Sequence, residues 1–575
     1  MRCNQAPVLP AVFLCLCPLV AEAAVFNVRD HGAKGDKVAS DTKAIQTAID
    51  ACSRAGGGTV ALPPGDYLSG TIRLKSHVSL CLENGATLWA TADRSEYEVV
   101  EAGRLAEGNP YLLVADNAEH VSIRGDGAIH GQGTGDWKRR RGVKSDQSED
   151  FFKWRIGVMR LRDCSNVTID GITIRYSQTW TVHLMRCQRV FLQGLTISNE
   201  YYRATTDGID VDSCRDVHIS NCNVTAGDDC ICLKSFGGYP CENVVVSNCT
   251  VESVATAIKL GTGSHGDFRD IHVSNCTIRN STVGIGLYIK DGGTAERVTF
   301  SDISITTIED TSQVLEYIEN SAYPIYADIE KRNEGSPIGG IRDVTFRGIH
   351  IHSDNGSLLQ GMRESPIRNL VLRDITTRVT KAFDYGKRKK HGGGSSNPKD
   401  DRQTIYAQKP SYFTLAFVDG LVVDNLRLLV EDDVFAAFPR SALSVNETSD
   451  GVVDKLRRTP AGIPNGEPVI QLHNCQQLSV TSCFAPPGTP AFLGISGKDT
   501  RGIAVVGNDL SEAARPVVQD ADVPLKAVRV RGDRSAVPDR SDGKSDHKNL
   551  SQNSPRQVGR PSETALPTRS GTGSK

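Results

Sequence analysis

Short runs of alternating apolar and polar residues recur along most of the chain. NVTIDGITI (166–174), RVFLQGLTI (189–197), DVHISNCNV (216–224), NVVVSNCTV (243–251), DIHVSNCTI (270–278), RVTFSDISI (297–305), DVTFRGIHI (343–351) and NLVLRDITT (369–377) carry their apolar residues at the same offsets. Their anchors are Val167, Val190, Val217, Val244, Ile271, Val298, Val344 and Leu370, spaced 23, 27, 27, 27, 27, 46 and 26 residues apart, and weaker copies start at Val121, Leu421 and Leu478. The one long spacing leaves room for an inserted loop. Period-two patterning repeated every twenty-odd residues predicts a strand-per-turn solenoid, an all-β parallel β-helix whose coils stack about 4.8 Å apart.

Two further patterns fit that architecture. Cys222, Cys249 and Cys276 occupy one repeat position, which Ile172, Leu195 and Ile303 fill in other coils. Thiols that alternate with aliphatic residues form an interior column of small hydrophobes rather than a metal site. In DTKAIQTAIDACSRAGGG (41–58), Ala44, Ile45, Ala48, Ile49 and Cys52 fall at helical spacing. The expectation is a short helix that covers one end of the solenoid, where strand edges would otherwise be exposed.

Composition bounds the rest. The chain has 575 residues, 39% hydrophobic, with a formal net charge of −2, which gives no electrostatic case for nucleic acid or an anionic membrane. Residues 1–24 combine one Arg, an apolar stretch from Val8 to Val20 and the small-residue site Ala21-Glu22-Ala23, which reads as a secretory signal peptide and not as a membrane span. The solenoid is expected over 25–534, and the Ser-, Gly-, Pro- and charge-rich segment 535–575 as a disordered tail. Sixteen Cys are present, three of them in the leader. The thirteen that remain leave room for a disulfide or two, although the columns argue for free thiols.

The charged residues matter once they are laid on the repeat. A second strand follows each anchored one, and aligning Ile209, Ile231, Ile258 and Leu287 puts Asp207, Asp229, Thr256 and Ile285 in one column. The same alignment puts Asp210, Cys232, Lys259 and Tyr288 in the next, and Asp212, Lys234, Gly261 and Lys290 in a third. Asp228 precedes Asp229 at a corner where Gly227 lets the backbone bend. Three carboxylates brought this close cannot all ionise comfortably, so one retains a proton near neutral pH, as a general acid must. Two such sites with a water between them match glycosidic hydrolysis with inversion, for which separations run to roughly 6.5–9.5 Å.

At these residues the sequence resembles the polygalacturonase family, glycoside hydrolase family 28. The similarity covers most of residues 25–380, including FNVRDHGAKGDKVASDTKAIQTAIDAC, IHGQGTGDW (129–137), SQTWTVH (177–183), TTDGID (205–210) and AGDDCICLKS (226–235). It implies a right-handed, single-stranded parallel β-helix, needing no cofactor or metal, that hydrolyses pectic polysaccharides or oligosaccharides as a secreted monomer. The family's Asn-Thr-Asp and Gly/Gln-Asp-Asp motifs map onto Thr205-Thr206-Asp207 and Gly227-Asp228-Asp229. That mapping implies Asp228 as the acid and Asp207 with Asp229 as the pair that activates water. Two motifs depart: the His of Gly-His-Gly is Thr256 here, and the Arg of Arg-Ile-Lys is Tyr288, while Lys290 survives. In the family that Arg and Lys are thought to grip a galacturonate carboxylate beside the cleaved bond, and Tyr offers one hydroxyl where Arg offers a fork.

Other residues complete the expected groove. Lys259, placed one rung below Tyr288, would supply the missing cation, and His265 would stand in for the missing His. Trp180 would give a sugar platform and His183 a hydrogen-bonding partner, with Tyr201, Tyr202 and Arg203 as similar candidates. The segment 316–337 would wall one end, favouring release from chain ends, and 386–401 would form a solvated loop. Rhamnogalacturonan-directed and exo-acting variants both fit the departures at Thr256 and Tyr288. A pectate lyase or uronan epimerase, with Ca²⁺ held by the Asp cluster, is a second reading. A non-catalytic carbohydrate-binding solenoid is a third.

Overall fold

The computed structural model describes residues 24–98, 110–133, 155–201, 203, 205–308, 322–380, 411–431, 434, 440–459 and 467–535. Of the expected features, the leader up to 23, the tail beyond 535, the 386–401 loop, Tyr202 and residues 316–321 of the wall lie outside the described residues, whereas Tyr323–Ile329 of that expected wall form a buried strand of the long sheet. Strands dominate, and their pairings are parallel, as coil-on-coil stacking requires. A typical coil holds three strands, such as Val182–Met185, Gln188–Gln193 and Thr196–Ser198. The chain forms a right-handed parallel β-helix, with one 15-stranded sheet running along the molecule.

The anchors pair coil to coil in the order the repeat predicts. Val121 meets Val167, then Val190, Val217, Val244, Ile271, Val298, Val344, Leu370 and Leu421 in turn. Val298 pairs directly with Val344, so the long spacing is an insertion within one coil and not a missed turn. Between Leu421 and Leu478 the structure adds a coil at Gly451, where the side chain that would have shown the repeat is missing. All these anchors are buried in one continuous apolar core.

Helix α1 (Thr42–Arg54) buries Ile45, Ala48, Ile49 and Cys52 in that core and covers the first strands, as expected of an end cap. The thirteen Cys among the described residues are all free. Cys222, Cys249 and Cys276 stack in the interior as predicted. A second column, Cys164, Cys187, Cys214 and Cys241, runs one per coil through the same core. The corners use Asn, Asp and Gly with positive φ, and Asn221, Asn248 and Asn275 form an outward ladder with amide-to-carbonyl distances of 3.3 and 2.7 Å.

Eight strands of the long sheet frame the carboxylates: β1 (Tyr111–Asp116), β2 (Gly157–Arg162), β3 (Val182–Met185), β4 (Ile209–Asp212), β5 (Ile231–Ser235), β6 (Thr256–Ser264), β7 (Val283–Ile289) and β8 (Tyr323–Ile329). Their inward residues feed the core. Their outward residues build the site.

One expected register needs correction. Ile258 pairs with Ile285 and Leu260 with Leu287, so Lys259 faces Gly286, not Tyr288. By the same shift Thr256 stands beside Val283, and Tyr288 pairs with Asp328 of β8. The apolar alternation of Ile285, Leu287 and Ile289 accepts a two-residue slip without turning any side chain to the other face, so the pattern alone could not fix it.

Candidate active site

Two successive coils deliver the three carboxylates. Gly208 donates its N–H to the carbonyl of Asp229 at 2.9 Å, and Cys230 donates to that of Thr256 at 3.1 Å. Asp207, Asp229 and Thr256 therefore stand on neighbouring rungs at the entry to β4, β5 and β6. The backbone N–H of Thr205 donates to Oδ2 of Asp228 at 2.8 Å, which turns that carboxylate back towards the previous coil. One oxygen of each of Asp207, Asp228 and Asp229 lies within 4.8 Å of the others. That is tighter than the water-wide gap expected from sequence, so separation does not by itself argue for inversion. Gly227 serves differently from expectation as well. Its φ is not positive; instead a Cβ there would sit 2.2 Å from the carbonyl oxygen of Arg203, so what the corner needs is small size.

Asp207 and Asp229 are buried, while Asp228 retains some exposure. Burial, followed by the charges of Asp207 and Asp229, pushes the Asp228 carboxyl up to about 7. Burial and the neighbouring Asp210 push Asp207 well above the usual carboxylate range. A cluster of this kind holds a proton at neutral pH that belongs to the group as a whole.

Two lysines offset the negative charge. Nζ of Lys234 lies 2.9 Å from Oδ1 of Asp210 and 3.4 Å from Oδ2 of Asp207, with the Trp180 ring centroid 4.6 Å away. Burial works against its charge, but the carboxylates around it, Asp210 foremost, hold its pKa well above normal. Nζ of Lys259 lies 2.8 Å from Oδ2 of Asp229. Lys259 thus already has an anionic partner, and the expectation that it stands ready for a substrate carboxylate is not what the geometry offers. Asp210 and Lys234 were not among the sequence candidates. The signal was present in Asp210-Val-Asp212 and Cys232-Leu-Lys234, whose period-two spacing turns ionisable groups outward beside Asp207 and Asp229.

The remaining candidates separate into neighbours of the cluster and bystanders. The Tyr288 ring folds back over Gly286, where a Cβ would meet it at 2.4 Å. Its centroid is 5.1 Å from Nζ of Lys259, and its hydroxyl is 3.4 Å from Oγ1 of Thr256. Lys290 is buried and paired with Glu330. His183 is buried beneath the outer face, its Nε2 3.9 Å from Oδ2 of Asp212 and its Nδ1 3.4 Å from the hydroxyl of Tyr111. Burial lowers its pKa, so it sits neutral. Trp180 meets it edge-on with centroids 4.7 Å apart and remains half-buried, as a groove wall would be. Arg203 does not line a groove: it is buried, and its guanidinium donates to the carbonyl of Gly133. The Tyr201 hydroxyl donates to the carbonyl of Asn280. His265 lies 3.8 Å from Asp291, and its backbone N–H donates to the carbonyl of Ser235, so it does not replace the missing His at Thr256.

Comparison with known proteins gives this arrangement its context. A probable polygalacturonase of Vitis vinifera is 31% identical over 246 residues, 41% of this chain and 48% of that protein. An exopolygalacturonase of Zea mays is 27% identical over 213 residues, covering 36% and 48%. The chain spans about half the length of these relatives. Among solved structures, the exopolygalacturonase of Thermotoga maritima superposes with a TM-score of 0.53 at 22% identity, covering 62% of this chain and 88% of that one. The family 28 exopolygalacturonase of Yersinia enterocolitica gives 0.52 at 19%, covering 76% of each chain. At such identities the structural likeness speaks for the fold. The family model for glycosyl hydrolases family 28 matches residues 52–385, which include every carboxylate and lysine described above, and the chain belongs to that family.

Proposed function

We propose that this protein is a glycosidase that hydrolyses O-glycosidic bonds in pectic polysaccharides or oligosaccharides. The observation that carries the reading is the set of three carboxylates on adjacent coils, one of them part-exposed with its pKa near 7 and another paired to a lysine. Asp228, the accessible member, protonates the departing oxygen. Asp207 and Asp229 hold and deprotonate the attacking water in a single displacement, with Nζ of Lys259 set 2.8 Å from Oδ2 of Asp229. Residues 1–24 direct export, 25–534 form the catalytic solenoid acting as a monomer, and 535–575 form a polar tail.

The flank at Tyr288 supports a narrower reading. Where the family resemblance implies a cationic fork, this chain presents a phenol, and the neighbouring Lys290 spends its charge on Glu330. A neutral sugar suits that position better than a uronate, which favours bonds of the rhamnogalacturonan type over homogalacturonan. The Ca²⁺-dependent lyase or epimerase reading is less well supported, because Lys234 and Lys259 each already set a cation against one oxygen of Asp207 and Asp229, which weakens the pull of the cluster on a divalent cation.

Incubation with a panel of pectic fragments, sizing the products and following their anomeric configuration by NMR, tests the proposal. Inverted reducing ends from wild type and none from Asp228→Asn are expected. Unsaturated products that disappear with chelator would instead select the lyase. Sugar binding without any cleavage would select a non-catalytic solenoid.

A further inference from the structure

The sheet that carries the carboxylates also carries a cationic cluster on its earlier coils. Asp116, the last residue of β1, is the hub. Nη1 of Arg73 and Nε of Arg162 each lie 2.7 Å from its carboxylate, and Nη2 of Arg160 lies 3.6 Å away. Arg73 also pairs with Glu98. Among the described residues, three guanidiniums therefore face two carboxylates.

Arg160 is the member that folding alone does not explain. It is 2% exposed, its Nε has no hydrogen-bond partner among the described residues, and its one anionic contact is beyond hydrogen-bonding distance. Burial lowers its pKa, which marks a cation short of compensation. An underpaired buried charge is costly, and an arriving anion would relieve it.

Its position relates it to the catalytic cluster. Arg160 pairs with His183, and His183 with Asp210, all pointing outward from the same sheet. Two rungs separate Arg160 from Asp210, about 10 Å at the usual strand spacing. The Tyr111 ring bridges the interval, with Arg160 5.7 Å from its centroid and its hydroxyl against His183. A sugar chain lying along the solenoid with its cleaved bond at Asp228 would run over these arginines.

We propose that Arg160, Arg162 and Arg73 form a subsite for the carboxylate of a uronate in the bound glycan, on the flank opposite Tyr288. Guanidinium forks match a planar carboxylate, and Arg162, 35% exposed, presents the entrance. The inference deepens the functional reading above and rests on it for the ligand class. It adds a polarity to the groove: an acidic sugar on the early coils and a neutral one at Tyr288.

The test uses the full chain carrying Asp228→Asn, so that ligands survive. Titration calorimetry compares tetragalacturonate, and an alternating rhamnose–galacturonate tetrasaccharide, with their methyl esters. At least one free acid should bind at least tenfold tighter than its ester, and adding Arg162→Gln should bring that ratio close to one while ester affinity holds. Arg160→Gln should do the same; should it not fold, the half-exposed Arg162 and Arg73→Gln carry the test. No acid preference in either probe, or a preference that survives Arg162→Gln and Arg73→Gln, overturns the subsite. Hydrolysis by wild type is scored separately. Cleavage with an arginine-independent KM sinks the subsite and leaves the hydrolase reading standing, whereas acid-selective binding without cleavage does the reverse.

Discussion

Nζ of Lys259 sits 2.8 Å from Oδ2 of Asp229, reaching down from the next coil to a carboxylate with no solvent of its own. Asp229 is buried and Lys259 largely so, so their attraction is little screened, and the lysine fixes the place of the carboxylate that faces the water. Removing the cation should therefore harm the base and not the grip on any particular sugar. Lys259→Met is expected to lower kcat about 10²-fold, a typical size for disabling a proton-transfer group, and equally on acidic and neutral substrates. A loss confined to acidic substrates would return Lys259 to the role of a carboxylate clamp.

The raised pKa of Asp228 sets a pH dependence of both rate and stability. As a general acid it works protonated, so kcat/KM should fall as pH rises through about 7. For stability the folded state holds this proton where the unfolded chain, with a carboxyl near 4, has released it. Folded protein thus binds more protons between about pH 4 and 7, and this group's contribution declines as pH rises across that window. Asp228→Asn should flatten that slope in denaturant titrations while abolishing turnover. An unchanged slope would mean that the proton resides elsewhere in the cluster.

Tyr288→Arg should supply the fork that the family's Arg-Ile-Lys motif implies at this position. The new guanidinium would lie near Thr256 and Lys259, where the Tyr288 hydroxyl and ring now rest. We expect KM on oligogalacturonides to fall by roughly tenfold, the size of one charge-assisted hydrogen bond, with little change on neutral-sugar linkages. Equal effects on both substrates would argue that Tyr288 does not face a sugar.

The thirteen free cysteines of the described residues, twelve of them buried, predict a protein indifferent to reductant. The Tm should be the same with and without dithiothreitol, and denatured protein prepared without residues 1–24 should titrate all thirteen thiols. A marked drop in Tm on reduction would require disulfides that the stacked columns do not contain. Cys249→Ser should cost about 1–3 kcal/mol in urea unfolding, because it places a hydroxyl in an apolar column.

The fold was legible because burial writes a period into the chain. Val167, Val190 and Val217 recur where each coil must seal the same core, and no partner from elsewhere is needed to explain them. Asp207, Asp228 and Asp229 were legible for a related reason: once the period is known, residues a coil apart become neighbours. Outward positions leave no such trace. Lys259 and Tyr288 could be placed on the outer face, but the rung each occupies depends on a two-residue register that apolar alternation does not distinguish.

Local sequence thus determined the solenoid, its capping helix and the meeting of the carboxylates, since all three follow from which side chains avoid water. Tertiary structure decided which cation serves which anion. Lys234 goes to Asp210, Lys259 to Asp229 and Lys290 to Glu330, while Arg160 is left underpaired two rungs from the cluster. Those choices turn on side-chain reach between coils, a matter of ångströms in three dimensions that one-dimensional spacing does not encode.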